Sequence, residues 1–422
     1  MANEITAGSA GKKLIEEICG VAWTRLPGSD GEKRAQAFIG EKMKALGADT
    51  VEIQTFTVHA GFFRWWPVIS IVLFYASMVL YHVFPIGSLV AAVLAIANVF
   101  LKLFSYEFLD VLFKAKLSSN AVARVAPRDG RPPKRILLIG GHADSNYEYP
   151  IGSRFGTKLI PLLIPVFVSM VAGALVAGIK AGTSLANDGF IAGLDAAAWR
   201  AFTSPGWLDV LYFIVLGTVP YASWMGFGMV SSKPVPGAND NLSGVAVALL
   251  LLERFAKPDQ RPRNVELWFV SFGSEEGGMK GSKHAARLVR DALDAGKLGA
   301  PSVWVVNFDS IAAKGPMLVA TKEPLYRCTY IPDVYTQMEA SAKKAGVDVV
   351  VKSLAAGTDS APFGRLGIPA TGIVCMGEGH SPANWHSLDD TPENIEPAGI
   401  EHCVKLGAQF IRDVDELLDG AN

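Results

Sequence analysis

The stretch VELWFVSFGSEEGGMKGSKHAARLVRDAL, residues 265–293, decides the fold of this chain. It opens with a near-continuous apolar run, which is typical of a strand buried on both faces. It closes with apolar residues at helical spacing, and the loop between the two holds adjacent glutamates, Glu275 and Glu276. A buried strand followed by an amphipathic helix is the repeating unit of an α/β domain.

The same alternation runs along much of the remaining chain. Residues 28–49 show helical spacing behind a Ser29/Asp30 start, which predicts a helix. Further strands are predicted at TVEIQTFTV (50–58), SNAVARVAP (119–127), RILLIGG (135–141) and SVWVVNFDS (302–310), and a further helix at NLSGVAVALLLLERFAK (241–257). We therefore predict an α/β fold whose sheet is covered on both faces.

Composition narrows the class of protein. Of the 422 residues half are hydrophobic and 19% are charged, and the mean hydropathy of +0.28 is high for a soluble enzyme. The net charge is −1 with no basic stripe, which argues against a nucleic-acid partner. The four cysteines have no close spacing, so neither a zinc knuckle nor a disulfide framework is predicted.

Four apolar segments interrupt the globular pattern. Arg64 and Lys102 bracket 37 residues without Asp, Glu, Lys or Arg, divided by Pro85 into two short halves. Two more such runs hold 21 residues between Lys158 and Lys180, and 23 residues between Asp209 and Lys233. Because a crossing needs about 20 residues, we predict four transmembrane helices. Core helices of a large soluble fold are the alternative, as are re-entrant hairpins for the first pair.

The apolar segments form two predicted membrane hairpins, residues 62–105 and 153–232. Without them about 300 residues remain, a normal size for one domain, and we predict that 1–61, 106–152 and 233–422 form it. Basic residues flank the hairpins on the side of this domain, which the positive-inside rule places in the cytosol. The N-terminal segment lacks the features of a signal peptide, so we expect it to stay there.

Several acidic and imidazole groups lie at the ends of predicted strands, where open α/β sheets place their sites, while Asp240 directly precedes a predicted helix and His386 lies in a late loop. In chain order they are His142 and Asp144, Asp240, the pair Glu275 and Glu276, Asp309, and His386. Each motif alone is weak, since an isolated His-x-Asp or Glu-Glu is usually an ordinary loop. Together, two His, two Asp besides Asp144, and a Glu pair are a sensible supply for two zinc ions bridged by one carboxylate.

The chemistry needs two kinds of carboxylate. Two metals can polarise a scissile carbonyl and lower the pKa of a water, and a carboxylate that does not bind metal can move the proton of that water. An adjacent glutamate pair suits this division, because one side chain can turn to the metal while the other stays free. In His142-x-Asp144, the aspartate can hold the second imidazole nitrogen and fix its tautomer.

Seven motifs carry a family resemblance. They are LPGSDGEKRAQAFIGEKMKALGAD (26–49), GGHADS (140–145), PGANDNLSGVA (236–246), SFGSEEGGMKGS (271–282), NFDS (307–310), GTDSAPFGRLGIPATGI (357–373) and WHSLDDTPENI (385–395). In combination the chain resembles the bacterial leucyl aminopeptidase-type di-zinc exopeptidases, whose relatives include glutamate carboxypeptidase II and the glutaminyl cyclases. The resemblance implies a three-layer α/β/α, phosphorylase/hydrolase-like zinc-exopeptidase domain with a mixed, mostly parallel central sheet, here with four inserted transmembrane helices.

The resemblance also implies the roles of individual residues and two Zn²⁺ per chain. The implied zinc ligands are His142, Asp240, Glu276, Asp309 and His386, with Asp240 bridging both ions. Glu275 is the implied general base and Asp144 the partner of His142. The family often has a cis peptide bond after the bridging aspartate. We further expect Asp359 and His380 to contact substrate.

These expectations describe a membrane-anchored zinc aminopeptidase that hydrolyses N-terminal peptide bonds. The expected partners are the lipid bilayer and a peptide or amide substrate, which could be located at the membrane surface. The hairpins could also mediate oligomerisation. The alternatives are a related amide hydrolase or dipeptidase, a glutaminyl cyclase-like enzyme, and a catalytically silent membrane receptor or scaffold. The cyclase is disfavoured because the family's cyclases use one zinc, and the silent scaffold because the ligand set is complete.

Overall fold

The computed structural model of the chain describes residues 6–104, 106–188, 203, 205–297, 302–377 and 382–420. The chain divides into two compact units. The sheet unit comprises Met1–Gly61, Asp110–Glu148 and Lys233–Asn422, and the helical unit comprises Phe62–Leu109 and Tyr149–Ser232. The chain therefore passes between the two units four times.

The sheet unit contains ten strands and seven helices among the described residues. The strands are β1 (Thr50–Val58), β2 (Lys116–Val125), β3 (Arg135–His142), β4 (Val265–Phe272), β5 (Ser302–Asp309), β6 (Met317–Ala320), β7 (Lys322–Glu323), β8 (Cys328–Thr329), β9 (Val349–Lys352) and β10 (Ala370–Cys375). The helices are α1 (Ala7–Val21), α2 (Asp30–Ala45), α9 (Ser243–Phe255), α10 (Lys280–Asp294), α11 (Pro332–Ala345), α12 (Ala361–Arg365) and α13 (Pro397–Asp419). The helical unit supplies α3 (Gly61–Val83), α4 (Pro85–Leu103), α5 (Pro150–Phe155), α6 (Leu159–Asp188), α7 (Trp207–Leu216) and α8 (Val219–Gly228).

Eight strands form one mixed sheet in the order β1-β2-β4-β3-β5-β10-β6-β9. The centre is parallel, because β3 pairs in parallel with β4 on one side and β5 on the other, and β10 pairs in parallel with β5. Antiparallel pairs join β1 to β2, β2 to β4, and β10 to β6. The predicted mixed, mostly parallel sheet is confirmed.

Helices cover both faces of this sheet. Successive residues of a strand point to opposite faces, and in β3 Leu137 and Ile139 join one apolar core while Ile136 and Leu138 join the other. The first core is closed by α1, α2, α9, α11 and α13, and the second by α10 and α12. A sheet buried on both sides explains why its strands read as continuous apolar runs.

Local signals in the sequence set the ends of several elements. The hydroxyl of Ser29 caps α2 by accepting the backbone N–H of Glu32 at 3.2 Å. Strands β1 and β4 have the predicted bounds. The predicted helix 241–257 begins later, at Ser243, because Asn241 has a non-helical φ of −139° within a tight turn that carries Asp240.

Other elements were not predicted by the patterns above. Strands β6 and β9 have only four residues each, which is too short to show a period of two. Helices α1, α11 and α13 do bury an apolar stripe, as Ile15 and Ile18 do in α1, but nothing in the motifs marks them. Their positions are decided by packing on the sheet.

Across the described residues, four helical segments are long and apolar enough to cross a membrane, judged by length and composition. They are Gly61–Val83, Pro85–Leu103, Leu159–Ala186 and Trp207–Gly228. The helical unit extends a little beyond the predicted hairpins, since residues 106–109 and 149–152 lie with it. The physical reason at one end is Ile151, which is buried in the apolar core of this unit.

Polar side chains inside the helical unit bond from helix to helix. The amide of Asn98 in α4 donates to the carbonyl of Trp66 at 2.8 Å and to the hydroxyl of Ser70 at 2.7 Å, both in α3. Tyr212 in α7 donates to the carbonyl of Met78 in α3 at 3.0 Å. These hydrogen bonds connect α4 and α7 to α3 within the helical unit.

Candidate metal centre and active site

Three adjacent parallel strands bring the predicted site residues to one edge of the sheet. His142 is the last residue of β3 and Asp309 the last of β5, while Glu275 follows the end of β4 by three residues. Because β4, β3 and β5 run parallel side by side, their carboxyl ends lie together. This topology converts residues far apart in sequence into one cluster.

Asp240 lies between two histidines. Its Oδ1 is 3.3 Å from Nε2 of His142, and its Oδ2 is 3.3 Å from Nε2 of His386. All three side chains are nearly buried. The two oxygens of a single carboxylate thus face two different imidazoles, which is the arrangement required of a bridging ligand.

Each histidine has a second carboxylate beside it. Oδ2 of Asp309 is 4.0 Å from Nε2 of His142, and Oε1 of Glu276 is 3.1 Å from Nε2 of His386. The potential ligand atoms of His142, Asp240 and Asp309 lie within 4.8 Å of one another, as do those of Asp240, Glu276 and His386. Two three-residue sets that share Asp240 result.

This donor set fits zinc. Imidazole nitrogen and carboxylate oxygen are common zinc ligands, and three protein ligands per ion leave a position for substrate or water. The five predicted ligands are therefore brought together in one cluster.

Glu275 lies on the side of His142. Its Oε2 is 3.8 Å from Nε2 of that histidine, and His142, Glu275 and Glu276 form a third set that could hold an ion. Glu276 differs because it also contacts His386. Glu276 therefore belongs to a possible ligand set with His386 as well as to the one with His142.

Burial and close charges shift the pKa values of several residues in the cluster. Burial, together with the nearby charge of Glu276, raises the pKa of Glu275 well above its usual range, and burial with the charge of Asp240 raises the pKa of Asp309 to about 8. Burial opposes protonation of the histidines, but the neighbouring carboxylates raise the pKa of His386 to about 9 and that of His142 well above its usual range. A divalent cation among these groups would reverse this balance by favouring the charged carboxylates and neutral imidazoles.

Asp144 organises the glutamate pair. Its carboxylate accepts the backbone N–H of Glu275 at 2.9 Å and that of Glu276 at 3.0 Å. The expected contact with His142 is longer, with 3.5 Å between Nδ1 and Oδ1, and the same nitrogen lies 3.2 Å from the backbone carbonyl of Asp144. Both the backbone carbonyl and the side chain of Asp144 therefore lie beside Nδ1 of His142 and orient its ring.

Asp390 is a supporting residue that motif reading did not single out. Its two carboxylate oxygens accept the backbone N–H groups of Asn239 at 2.7 Å and Asp240 at 3.1 Å. The motif that carries His386 therefore also anchors the turn that carries Asp240. Burial raises the pKa of Asp390 to about 7, although these two hydrogen bonds lower it.

Glu32 and Asn146 also support the cluster. Glu32, buried at the start of α2, accepts both the backbone N–H (2.6 Å) and the hydroxyl (2.9 Å) of Ser274, directly before the glutamate pair. In sequence it resembles an ordinary capping residue three positions after Ser29. The amide of Asn146 donates to Oε2 of Glu276 at 2.6 Å. Neither contact has a sequence signal, since each joins distant segments.

Of the two residues predicted to contact substrate, the structure describes only Asp359. Asp359 is fully buried, and burial with the charges of Asp144 and Glu276 raises the pKa of its carboxyl to about 7. Its neighbour Thr358 is fixed by Glu323, which accepts the backbone N–H at 2.9 Å and the hydroxyl at 2.8 Å. His380 lies outside the described residues.

Backbone geometry is unusual at the cluster. The Asp240–Asn241 peptide bond is cis, as the family resemblance implies. Ser274, Ser310 and His386 have φ values near +50°, in the left-handed region that side chains other than glycine seldom adopt. Such conformations concentrate at functional sites, where surrounding contacts hold them.

The sequence matches a known family over part of its length. Residues 221–411 match Peptidase family M28. This region includes Asp240, the glutamate pair, Asp309 and His386, while His142 lies before it. No curated protein sequence matches the chain significantly.

Several solved structures share the fold at low sequence identity. A zinc aminopeptidase from Bacillus subtilis has 15% identity and a TM-score of 0.54, with 98% of this chain and 96% of that chain covered. A glutaminyl cyclase from Fimbriiglobus ruber has 16% identity and a TM-score of 0.54, with 96% and 94% covered. A Zn-dependent exopeptidase from Parabacteroides distasonis has 12% identity and a TM-score of 0.54, with 97% and 99% covered.

The fold, the family match and the ligand cluster agree with one another. The α/β architecture is that of zinc aminopeptidases and glutaminyl cyclases, and the matched region carries four of the five clustered ligand candidates. The chain is accordingly a zinc metallopeptidase whose residues 221–411 match Peptidase family M28.

Proposed function

We propose that this protein is a membrane-anchored di-zinc exopeptidase, specifically an aminopeptidase. The observation that carries the proposal is the position of Asp240, whose two carboxylate oxygens each lie 3.3 Å from a different histidine. A carboxylate shared between two ligand sets is the feature that distinguishes a two-metal site from a single-metal one.

Five residues would hold the metals. His142 and Asp309 would bind one ion, Glu276 and His386 the other, and Asp240 both. When bound, the two zinc ions would polarise the scissile carbonyl and make water more acidic.

Glu275 would move the proton. Its carboxylate would take a proton from the attacking water as the water oxygen bonds to the peptide carbonyl carbon. As the C–N bond breaks, the same group would return the proton to the leaving amine, so Glu275 ends the cycle ionised. Asp144 would fix the backbone from which this side chain extends, because it binds the N–H of Glu275.

Buried acidic groups beside the cluster favour a substrate with a free amine. Asp359 and Glu275 are both carboxyls whose pKa is raised by burial and by neighbouring acidic groups. The positive charge of a protonated substrate N-terminus would offset the repulsion between these acidic groups, whereas a blocked, uncharged N-terminus would not. We assign Asp359 to this contact, and His380 to a contact with the rest of the substrate.

The four apolar helices support anchoring in a bilayer. Their length and composition suit spanning, and apolar side chains such as Val79 and Leu175 are 73% and 64% exposed in the helical unit. We propose that the sheet unit faces the cytosol, on the side of the flanking basic residues. Substrates would then be peptides or amides found at that membrane surface, and association of copies would occur through the helices.

A glutaminyl cyclase-type activity is the second candidate, because solved cyclases share the fold. The two complete ligand sets favour the hydrolase. Zinc stoichiometry separates the candidates, since the proposal requires two ions per chain.

The deciding experiment is a peptide screen on zinc-loaded enzyme in detergent. We expect two zinc per chain, cleavage of free peptides, and little cleavage of N-acetylated ones. Glu275→Gln should keep its zinc and lose at least about 100-fold in kcat, whereas the control Glu253→Gln, on the exposed surface of α9, should match wild type. Wild-type rates in Glu275→Gln would refute the general-base role, and equal cleavage of blocked peptides would refute the aminopeptidase.

A further inference from the structure

Arg25 is a fully buried cation that binds the backbone of segments next to the ligand cluster. It lies in the loop between α1 and α2, and its side chain is among the largest that are wholly inaccessible to solvent. Among the described residues, no carboxylate lies within ion-pair distance of it. Burial of a charge is costly unless its hydrogen-bonding groups are satisfied, so the surroundings of Arg25 require an explanation.

Backbone carbonyl groups from three segments surround the guanidinium. Nε donates to Ala143 at 2.6 Å, and Nη2 donates to Pro236 at 2.6 Å and Gly237 at 3.0 Å. Nη1 donates to Ala22 at 3.1 Å and Trp23 at 3.3 Å. A guanidinium has five N–H donors, and the five carbonyls match that number.

The main chain of Arg25 also binds the segment that contains Ala143. Its N–H donates to the hydroxyl of Ser145 at 2.9 Å, and its carbonyl accepts the N–H of Ser145 at 3.0 Å. Residues 143 and 145 are therefore both bound to Arg25. Between them lies Asp144, which binds the backbone of the glutamate pair, and directly before them lies His142.

The second segment leads into the bridging ligand. Pro236 and Gly237 precede Asp240 by three to four residues, and Asp390 binds the backbone N–H groups of the next part of the same turn. A Cβ atom on Gly237 would lie 3.2 Å from Nη2 of Arg25 and 2.6 Å from the carbonyl oxygen of Asp240. The arginine, the glycine and the turn are thus closely packed.

We infer that Arg25 is a positioning residue that sets the distance between the His142 segment and the Asp240 segment. This inference rests on the proposed zinc site, and it adds a residue outside the ligand motifs and outside the matched family region. Lysine cannot substitute, because its three donors radiate from one nitrogen and cannot reach carbonyls on both segments at once. The positive charge of Arg25 also interacts with the nearby carboxylates of Asp144 and Asp390.

The test measures metal binding, so it does not depend on activity. Full-length wild type and Arg25→Lys, in detergent, are titrated with Zn²⁺ against a chromogenic chelator, and the absorption spectrum of the Co²⁺-loaded protein reports ligand geometry. We expect Arg25→Lys to bind zinc about 10- to 100-fold more weakly, as is typical when a group that orients ligands is lost, and to alter the cobalt spectrum. Arg124→Lys is the matched control, since Arg124 stacks on Trp268 and pairs with Glu52 at the surface.

A second variant covers the case in which Arg25→Lys does not fold. Ser145→Ala removes the acceptor of the Arg25 N–H but keeps the guanidinium, so we expect a few-fold loss of zinc affinity. If Arg25→Lys folds and has the zinc affinity and cobalt spectrum of wild type, the positioning role of Arg25 is refuted. If Arg25→Lys does not fold, the same result in Ser145→Ala refutes that role. Neither result would affect the proposed function. A wild-type chain that binds no zinc would instead overturn the proposed function.

Discussion

Asp144 accepts a hydrogen bond of 2.9 Å from the backbone N–H of Glu275, and its other oxygen does the same for the next residue at 3.0 Å. An ionised carboxylate accepts through both oxygens, whereas an asparagine has one acceptor and would direct its NH₂ at the other N–H. The glutamate pair would therefore shift in Asp144→Asn.

For Asp144→Asn we expect kcat/KM to fall about 10- to 100-fold, with weaker zinc binding because Glu276 moves too. Steady-state kinetics on a free peptide and metal analysis of the dialysed protein provide the measurements. Asp129→Asn, in an exposed loop, is the control. Unchanged kinetics and zinc content together would show that the Asp144 contacts have no role in the site.

Asp240→Ala removes the only side chain shared by both ligand sets. Each histidine then loses the carboxylate oxygen that lies 3.3 Å from its Nε2, and we expect both zinc ions to be lost on dialysis. Elemental analysis of metal per chain checks this, with exposed Asp259→Ala as control. Retention of one zinc would show that the two sets are independent, and retention of both would contradict the bridging role.

Glu323 provides a pH-dependent stability prediction outside the ligand set. Burial raises its pKa to about 7 from an ordinary 4.5, even though Tyr330 and Thr358 donate hydrogen bonds that lower it. The folded state therefore keeps a proton that the unfolded state releases, so the stability contributed by the neutral acid is lost as pH rises from about 4.5 to about 7.

Glu323→Gln cannot ionise and should lack that loss. As pH rises from about 4.5 to about 7, we expect the free energy of unfolding of the variant to increase relative to that of wild type by up to roughly 3 kcal/mol. This figure follows from about 1.4 kcal/mol per unit of pKa shift. Thermal unfolding in detergent across this pH window measures the difference in Tm between the two proteins. Glu339→Gln, which removes a surface pair with Lys343, is the control. Parallel Tm profiles for wild type and Glu323→Gln would contradict the raised pKa.

Membrane anchoring predicts an asymmetry between equally apolar surface positions. Leu175 in α6 is 64% exposed and Leu417 in α13 is 54% exposed. A charged residue at the centre of a span costs about 3 kcal/mol on insertion scales, so Leu175→Arg should impair recovery in the membrane fraction, whereas Leu417→Arg should not. Wild type should also require detergent. A chain that is monodisperse in plain buffer would refute the four-span proposal.

Much of the fold and the ligand set is determined by the sequence alone. Strands such as β4 are continuous apolar runs because both faces of the sheet are covered. The site residues at or just after the strand ends, His142, Glu275 and Asp309, are recognisable from the same pattern. The apolar helices are equally visible, since about 20 apolar residues in a row have few other uses. These properties are local, so they can be read from neighbouring positions.

Only the tertiary structure decided which groups meet and which residues support them. The order β4-β3-β5 brings the ligand segments together, and the oxygens of Asp240 become divided between His142 and His386 by that placement alone. Arg25 and Asp390 are ordinary residues in sequence, yet both bind the backbone of the turn that carries Asp240. The physical reason is that hydrogen bonds between segments more than 100 residues apart depend on chain topology, which leaves no periodicity in the sequence.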